Sequence, residues 1–136
     1  MSGPSLKQLH AHHSIHEGAF SEGNELFEIL CKLYQDNRLE HSRMVAEALI
    51  EHWETRTLAH AEAEEEGFYL EKASMSPELA EKVLMLRRDH DLMRILVGEI
   101  KDILSNHPVN EDVIDRFKML FFIVRVHSTE EEKSLF

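Results

Sequence analysis

The sequence predicts an all-α fold, arranged as an up-down-up-down antiparallel four-helix bundle. Apolar residues recur at every third or fourth position along most of the 136-residue chain, which is the spacing of an amphipathic helix. The alternation of apolar and polar residues that marks a strand is not sustained anywhere. Short polar connections separate four long helical segments, and connections of this length join antiparallel neighbours.

The first helix is predicted to be the least regular of the four. Gly18 and Gly23 interrupt its interior, and each glycine weakens a helix by about 1 kcal/mol relative to alanine. The two glycines allow either close packing against a neighbouring helix or a bend. The four predicted helices span residues 5–35, 40–73, 77–105 and 110–136.

The other three helices carry clearer signals. In the second, the apolar stripe continues into His60 and Glu64. Ser76 is the expected N-cap of the third helix, and Pro77 suits its first turn. Asn110 is the expected N-cap of the fourth.

The composition indicates one domain over residues 1–136, with enough hydrophobic residues (43%) to form a core. A formal net charge of −11 disfavours nucleic acids and anionic membranes as partners. The only cysteine, Cys31, cannot form an internal disulfide, and the first residues lack the apolar stretch of a signal peptide, so we expect a cytoplasmic protein. The longest apolar run, residues 119–124, is too short to cross a bilayer.

Four histidines are spaced evenly about the predicted connections: His16, His60, His90 and His127. The midpoint of each consecutive pair falls within a connection between two helices. Residues equidistant from the turn of an antiparallel helical hairpin lie at the same height. The four imidazoles are therefore expected to meet in one layer. The remaining histidines at positions 10, 41, 52 and 107 are expected to be solvated or to lie at the boundary of the core.

Two carboxylates join this layer because Glu64 follows His60, and Glu131 follows His127, by four residues on the same helical face. A lone histidine on an apolar stripe is usually an ordinary core residue. Burying six polar groups without partners, however, would cost on the order of 1–3 kcal/mol each. A pair of divalent cations such as iron suits this mixture of nitrogen and oxygen donors, whereas the lack of thiolates disfavours a structural zinc or iron–sulfur site.

The two halves of the chain resemble each other. His90 follows His16 by 74 residues, and His127 follows His60 by 67. Such a repeat predicts a pseudo-twofold bundle with two equivalent half-sites. The second offset also matches the residues that follow the histidines: Glu64 with Glu131, Phe68 with Leu135 and Tyr69 with Phe136.

The motifs at these histidines resemble those of the hemerythrin-like (HHE cation-binding) family, and the resemblance covers nearly the whole chain. The blocks HAEAEEEGFY from His60 and HSTEEEKSLF from His127 are similar to the family's H-x-x-x-E-E followed by an apolar–aromatic pair, and DHDL at His90 is similar to its third-helix histidine. The resemblance implies a non-haem di-iron centre, two iron ions bridged by an oxo or hydroxo group. It also implies Glu64 and Glu131 as bridging carboxylates.

The same resemblance assigns His16 and His60 mainly to one iron, and His90 and His127 to the other. Oxygen carriers of the family have five histidines, two of them four residues apart on the third helix, where this chain has Arg94. A fifth histidine could instead come from His12 or His13 on the first helix.

If neither His12 nor His13 binds, one iron has an additional open position, which would favour redox or peroxide chemistry over oxygen carriage.

Five further acidic residues are expected on solvated faces, from which some could accept hydrogen bonds from the histidines: Glu62, Glu65, Glu66, Glu130 and Glu132.

The expected function is that of a di-iron protein that binds dioxygen or another small diatomic ligand, in oxygen or nitric-oxide sensing, storage or iron handling. A binding protein is favoured over an enzyme. The first alternative is a di-iron redox enzyme for peroxide or nitric-oxide chemistry or for iron–sulfur repair. The second is a metal-free structural or signalling helix bundle. Manganese and zinc are alternatives to iron.

Overall fold

The computed structural model describes residues 8–136, and this part of the chain is helical with no β-strand, as the all-α prediction requires. Residues 5–7 of the first predicted helix lie outside the described range. The chain forms, in order, α1 Leu9–Gln35, α2 Leu39–His52, a π-helical segment Trp53–Leu58, α3 Ala59–Glu66, α4 Phe68–Ala73, α5 Pro77–Asn106 and α6 Glu111–Leu135.

The ends of the helices follow the chemistry of the connecting residues. The predicted caps are both confirmed: the Ser76 hydroxyl accepts a hydrogen bond from the Leu79 amide, and the Asn110 side chain accepts one from the Val113 amide, both at 3.1 Å. Between α1 and α2, Asn37 adopts a left-handed conformation with φ 58°, which asparagine tolerates better than most residues.

The prediction that the first helix is the least regular is wrong. Helix α1 runs without a break for 27 residues. Gly23 serves close packing, because a Cβ atom there would lie 3.2 Å from His52 Nε2 and 3.4 Å from Phe121 Cε1. The close approach of α1 to its neighbours therefore offsets the low helix propensity of this glycine.

The irregular part is instead the second predicted helix, which the structure divides at two places. The π-helical segment 53–58 adds a residue to the turn, and the Thr55 hydroxyl donates to the Glu51 carbonyl at 2.8 Å beside it. At Gly67 the backbone leaves the helical region (φ −132°, ψ −81°), which separates α3 from α4. Single-turn π-helices occur often at functional sites.

Two clusters of buried apolar side chains form the core. The larger cluster includes Leu49, Trp53, Met93, Phe117 and Leu120. The smaller comprises Phe68, Tyr69, Val83, Leu86 and Leu135. Along α5, His90 lies between Leu86 of the smaller cluster and Met93 of the larger, so a polar layer separates the two clusters. Among the described residues, no helix combines the length and the apolar character needed to span a membrane.

Candidate metal centre

Seven polar side chains converge between the two apolar clusters. Helices α1, α3, α5 and α6 contribute them: His12, His16, His60, Glu64, His90, His127 and Glu131. Three pairs among them are four residues apart and project from one helical face each. All are buried except His16, whose side chain is only 12% exposed.

The seven side chains form two groups that share both carboxylates. The first group is His12, His16, His60, Glu64 and Glu131, and the second is Glu64, His90, His127 and Glu131. Within each group, one nitrogen or oxygen atom from every residue lies within 4.8 Å of all the others. These buried histidine and glutamate groups could therefore hold a metal ion.

In the first group, three imidazoles approach the carboxylates through Nε2. His12 Nε2 lies 2.8 Å from Glu64 Oε2 and 2.7 Å from Glu131 Oε1. His16 Nε2 lies 3.5 Å from Glu131 Oε1, and His60 Nε2 lies 3.3 Å from Glu64 Oε2. The same ring atom of each histidine thus points to the centre of the group.

The second group is held at similar spacing. His90 Nε2 lies 3.1 Å from His127 Nε2 and 3.5 Å from Glu64 Oε1, and His127 Nε2 lies 3.3 Å from Glu131 Oε2. Donor atoms that are each about 2.1 Å from one shared cation would be about 3.0–3.4 Å apart. The spacing of these nitrogen and oxygen atoms fits that geometry.

Carboxylates outside the layer fix two of the imidazole rings. Nδ1 of His90 donates to Glu65 Oε2 at 2.7 Å, and Nδ1 of His127 donates to Asp89 Oδ2 at 2.9 Å. Arg94 also donates to Glu65 at 3.0 Å. Because an ionised carboxylate only accepts hydrogen bonds, each ring carries a proton on Nδ1, and its Nε2 is the atom that can offer a lone pair to a metal once the ring is neutral.

Several ring nitrogens in the first group lack a hydrogen-bond partner among the described residues. Both nitrogens of His60, and Nδ1 of His12 and His16, are buried in this way. A buried polar atom without a partner costs about 1–3 kcal/mol. A cation bound through the Nε2 atoms would satisfy the inward nitrogen of His60, so the donor set fits a metal.

The charges of the layer are strongly coupled. Burial opposes protonation of His12, but its hydrogen bonds to Glu131 and Glu64 outweigh burial and raise its pKa to about 9. Burial likewise opposes protonation of His127, but hydrogen bonds to Asp89 and Glu131 raise its pKa to about 9. Two protonated imidazoles therefore balance the two carboxylates when no cation is bound.

The pKa values of three other groups in the layer are also shifted, and both carboxylates stay ionised. Burial lowers the pKa of His16 to about 3, so this ring stays neutral. Burial would raise the pKa of Glu64, but a hydrogen bond from His12 and close contacts with His60 and His90 hold it well below the ordinary range. Burial and the neighbouring Glu64 charge also oppose the ionisation of Glu131, yet its contacts with His12 and His127 keep its pKa below the ordinary value.

All six residues predicted from the sequence, His16, His60, Glu64, His90, His127 and Glu131, lie in this layer. Of the two candidates for a fifth histidine, the structure brings His12 into the first group. His13 lies outside it, with 56% of its side chain exposed and its Nδ1 atom 2.7 Å from Glu132 Oε1.

The remaining histidines have no place in the layer. His10, His41 and His107 are exposed. His52 is half-buried, and its Nε2 donates to the Ala19 carbonyl at 2.9 Å.

Tyr69 is a member of the site that sequence reasoning missed. Its side chain is fully buried, and its hydroxyl donates to Glu131 Oε2. The hydroxyl oxygen of Tyr69 also lies 3.4 Å from the Nε2 atoms of both His90 and His127. The repeat had matched Tyr69 only with Phe136, as an aromatic position. The hydroxyl that distinguishes the two residues was the signal available in the sequence.

A cavity of about 150 Å³ reaches the layer from one side. Its inner end is formed by His16, His60, Glu64, His90 and His127. Its walls are mostly apolar and include Ala19, Phe20, Trp53, Met93, Phe121 and Val124. Arg56, which is paired with Glu22, also lines it, next to the π-helical segment. The cavity gives a small molecule a mostly apolar route to the imidazoles.

No family model, no curated protein and no solved structure matches this chain. The resemblance to the hemerythrin-like family therefore stays a prediction that depends on the motifs at His60, His90 and His127.

Proposed function

We propose that the protein is a non-haem di-iron protein of the hemerythrin-like type that binds dioxygen or another small diatomic ligand. The observation that carries this proposal is the sharing of Glu64 and Glu131 between two groups of buried imidazoles. A single ion would need only one such group. Two carboxylates common to both groups are what a pair of neighbouring cations requires.

The proposed architecture is the antiparallel four-helix bundle. In it, α2, the π-helical segment, α3 and α4 together form one broken helical rod, and α1, α5 and α6 form the other three. Packing of α1 on α2, of α5 on α6 and of α1 on α6 supports this arrangement.

Iron is favoured because the donors are imidazole nitrogens and carboxylate oxygens, a mixture that suits divalent iron. His12, His16 and His60 would hold one ion, His90 and His127 the other, and the two glutamates both. When bound, the irons would supply redox chemistry and affinity for diatomic molecules. The described part of the chain orients the imidazoles through outer carboxylates and surrounds the layer with apolar side chains.

The cavity supports a small uncharged ligand. The part of its wall formed by Phe20, Trp53 and Phe121 offers few hydrogen-bond partners to a charged or strongly polar molecule. Dioxygen and nitric oxide can pass it because they need no such partners. Sensing, storage and iron handling are all compatible with a ligand of this kind.

Two adjacent histidines provide the matched test. Purified protein loaded with ferrous iron and then exposed to air should contain about two irons per chain and show a charge-transfer band in the near ultraviolet. His12→Ala should lower the iron content or its affinity, because it removes a donor buried between both carboxylates. His13→Ala removes an exposed ring and should leave iron binding unchanged.

Circular dichroism of both variants shows whether His12→Ala has lost iron or has failed to fold. Wild-type protein that remains colourless and iron-free after this loading would contradict the proposal and would favour the metal-free bundle. Equal loss of iron in both variants would also count against it.

A second candidate function is a di-iron redox enzyme that consumes peroxide or nitric oxide. The cavity has room for such a substrate beside the imidazoles, since about 150 Å³ exceeds the roughly 10–15 Å³ of such space that one water molecule needs. A binding protein should show a reversible spectral change with its ligand. An enzyme should instead consume many equivalents of substrate per iron pair.

A further inference from the structure

We propose that the phenol oxygen of Tyr69 is a ligand of the second metal ion, the one held by His90 and His127. The inference rests on the proposed di-iron centre and adds an oxygen donor that the histidine–glutamate motifs do not contain.

The position of the Tyr69 oxygen is that of a ligand atom. It lies 3.4 Å from His90 Nε2 and from His127 Nε2, and it contacts Glu131 Oε2. These are donor atoms of the second group. His90 Nε2 and His127 Nε2 are 3.1 Å apart, and His127 Nε2 and Glu131 Oε2 are 3.3 Å apart. The phenol oxygen thus lies about as far from both imidazoles as these donor atoms lie from one another.

The Tyr69 ring is fixed in this position by packing. It stacks on the His90 imidazole with ring centroids 5.4 Å apart and an angle of 7° between the planes. Tyr69 also belongs to the smaller apolar cluster with Phe68 and Leu86. A buried, immobilised ring presents its oxygen to the layer without further loss of side-chain freedom.

The 74- and 67-residue offsets of the internal repeat relate each position in one half-site to a position in the other, and the two half-sites differ in which of these positions carries a donor atom. The position 74 residues after His12 is Leu86, which is buried and apolar, so the second group lacks the third imidazole of the first. The position 67 residues after Tyr69 is Phe136, whose ring lies 5.0 Å from that of His12 and offers no donor. Each half-site therefore has one extra donor, at a different position.

With Tyr69 included, each group contains five donor side chains. The first has three imidazoles and two carboxylates. The second has two imidazoles, the same two carboxylates and one phenol. On binding the ion, the phenol O–H bond would break and its proton would pass to the solvent. Among the described residues that line the cavity, Tyr69 is absent, so a ligand entering there meets imidazoles and Glu64 rather than the phenol.

The test uses the charge-transfer band of a ferric ion bound by a phenolate, which lies in the visible region and gives a purple colour. The chain contains two tyrosines, Tyr69 and Tyr34, and this makes a matched pair of variants possible. Air-oxidised, iron-loaded wild-type protein should show the band. Tyr69→Phe should lose the band completely, and Tyr34→Phe should keep both the band and two irons per chain.

Resonance Raman spectra of the wild-type protein provide a measurement that needs no variant to fold. Excitation in the visible band should enhance phenolate ring modes, and these should shift when tyrosine is ring-deuterated. Wild-type protein with two irons and no such band would overturn the ligand assignment while leaving the di-iron proposal intact. Iron-free wild-type protein would overturn both. A band that persists in Tyr69→Phe would overturn the assignment as well.

Discussion

At the scale of single residues, Asp89 shows how a side chain outside the layer can control it. It accepts a hydrogen bond from His127 Nδ1 at 2.9 Å, and this bond fixes both the tautomer and the direction of the ring. Asp91, two residues away, is exposed and instead accepts from Arg94 at 3.1 Å. The two aspartates thus differ in their contact with the centre.

We therefore expect Asp89→Ala to weaken binding of iron to the proposed centre by roughly 10–100-fold, the usual effect of removing an outer hydrogen bond from a histidine that ligates a metal. Asp91→Ala should leave the affinity within about twofold of wild type, since surface changes have small effects. Titration of ferrous iron against a competing chelator measures both. Equal affinities of the two variants would show that Asp89 does not orient His127.

The choice between His12 and His13 also belongs to this scale. Adjacent residues on a helix point about 100° apart, and the two positions fitted different sequence criteria. His13 continued the apolar stripe, whereas His12 had the four-residue spacing to His16. Only the rotation of α1 about its axis decides which ring is buried, and that rotation depends on contacts with other helices.

At the scale of elements, the sequence predicted the long helices and their caps because periodicity and capping are local. The π-helical segment 53–58 and the break at Gly67 were not predicted, since neither alters the three-to-four-residue spacing of apolar positions enough to be noticed. The break has a direct effect on the site. In an uninterrupted helix, Tyr69 would be rotated about 140° from Glu64, and its approach to the layer could not be foreseen.

The glycines of the long helices give a prediction at this scale. Gly98 lies inside α5 with nothing within 4 Å of the place where a Cβ would be, so Gly98→Ala should stabilise the protein by about 0.5–1 kcal/mol. Gly23→Ala should give no gain or a net loss. Its Cβ would lie 3.2 Å from His52 Nε2, which is held by the Ala19 carbonyl.

Urea unfolding of the two variants, compared with wild type, measures these changes in the free energy of unfolding. If Gly23→Ala stabilised the protein as much as Gly98→Ala, the proposed packing role of Gly23 would be wrong.

At the scale of the whole molecule, the buried charges predict how the metal-free protein responds to pH. The pKa values of His12 and His127 are raised to about 9, so the stability they contribute is fully present below about pH 6.5, their ordinary pKa, and is lost as pH rises toward 9. The pKa of His16 is lowered to about 3, so its effect is the opposite. Stability falls as pH drops below about 6.5, because the unfolded chain takes up a proton that the folded protein does not.

Together these three groups place the maximum stability of the metal-free protein near pH 6.5. Urea midpoints measured across pH in the presence of a chelator test this. A midpoint that rises steadily from pH 6.5 to 9 would contradict the expected protonation of His12 and His127. Added metal should move the pH of maximum stability upward. It must displace the protons of His12 and His127 to bind, and it therefore binds more tightly at higher pH.

The two carboxylates common to both groups have one further consequence for the proposed centre. An ion that enters either group would orient Glu64 and Glu131 for the second ion, but it would also neutralise part of their charge and repel that second cation. The two ions would therefore not bind independently. Their stepwise affinities would differ from those of two separate sites, and the share of chains that hold a single ion would show whether orientation or repulsion is the larger effect.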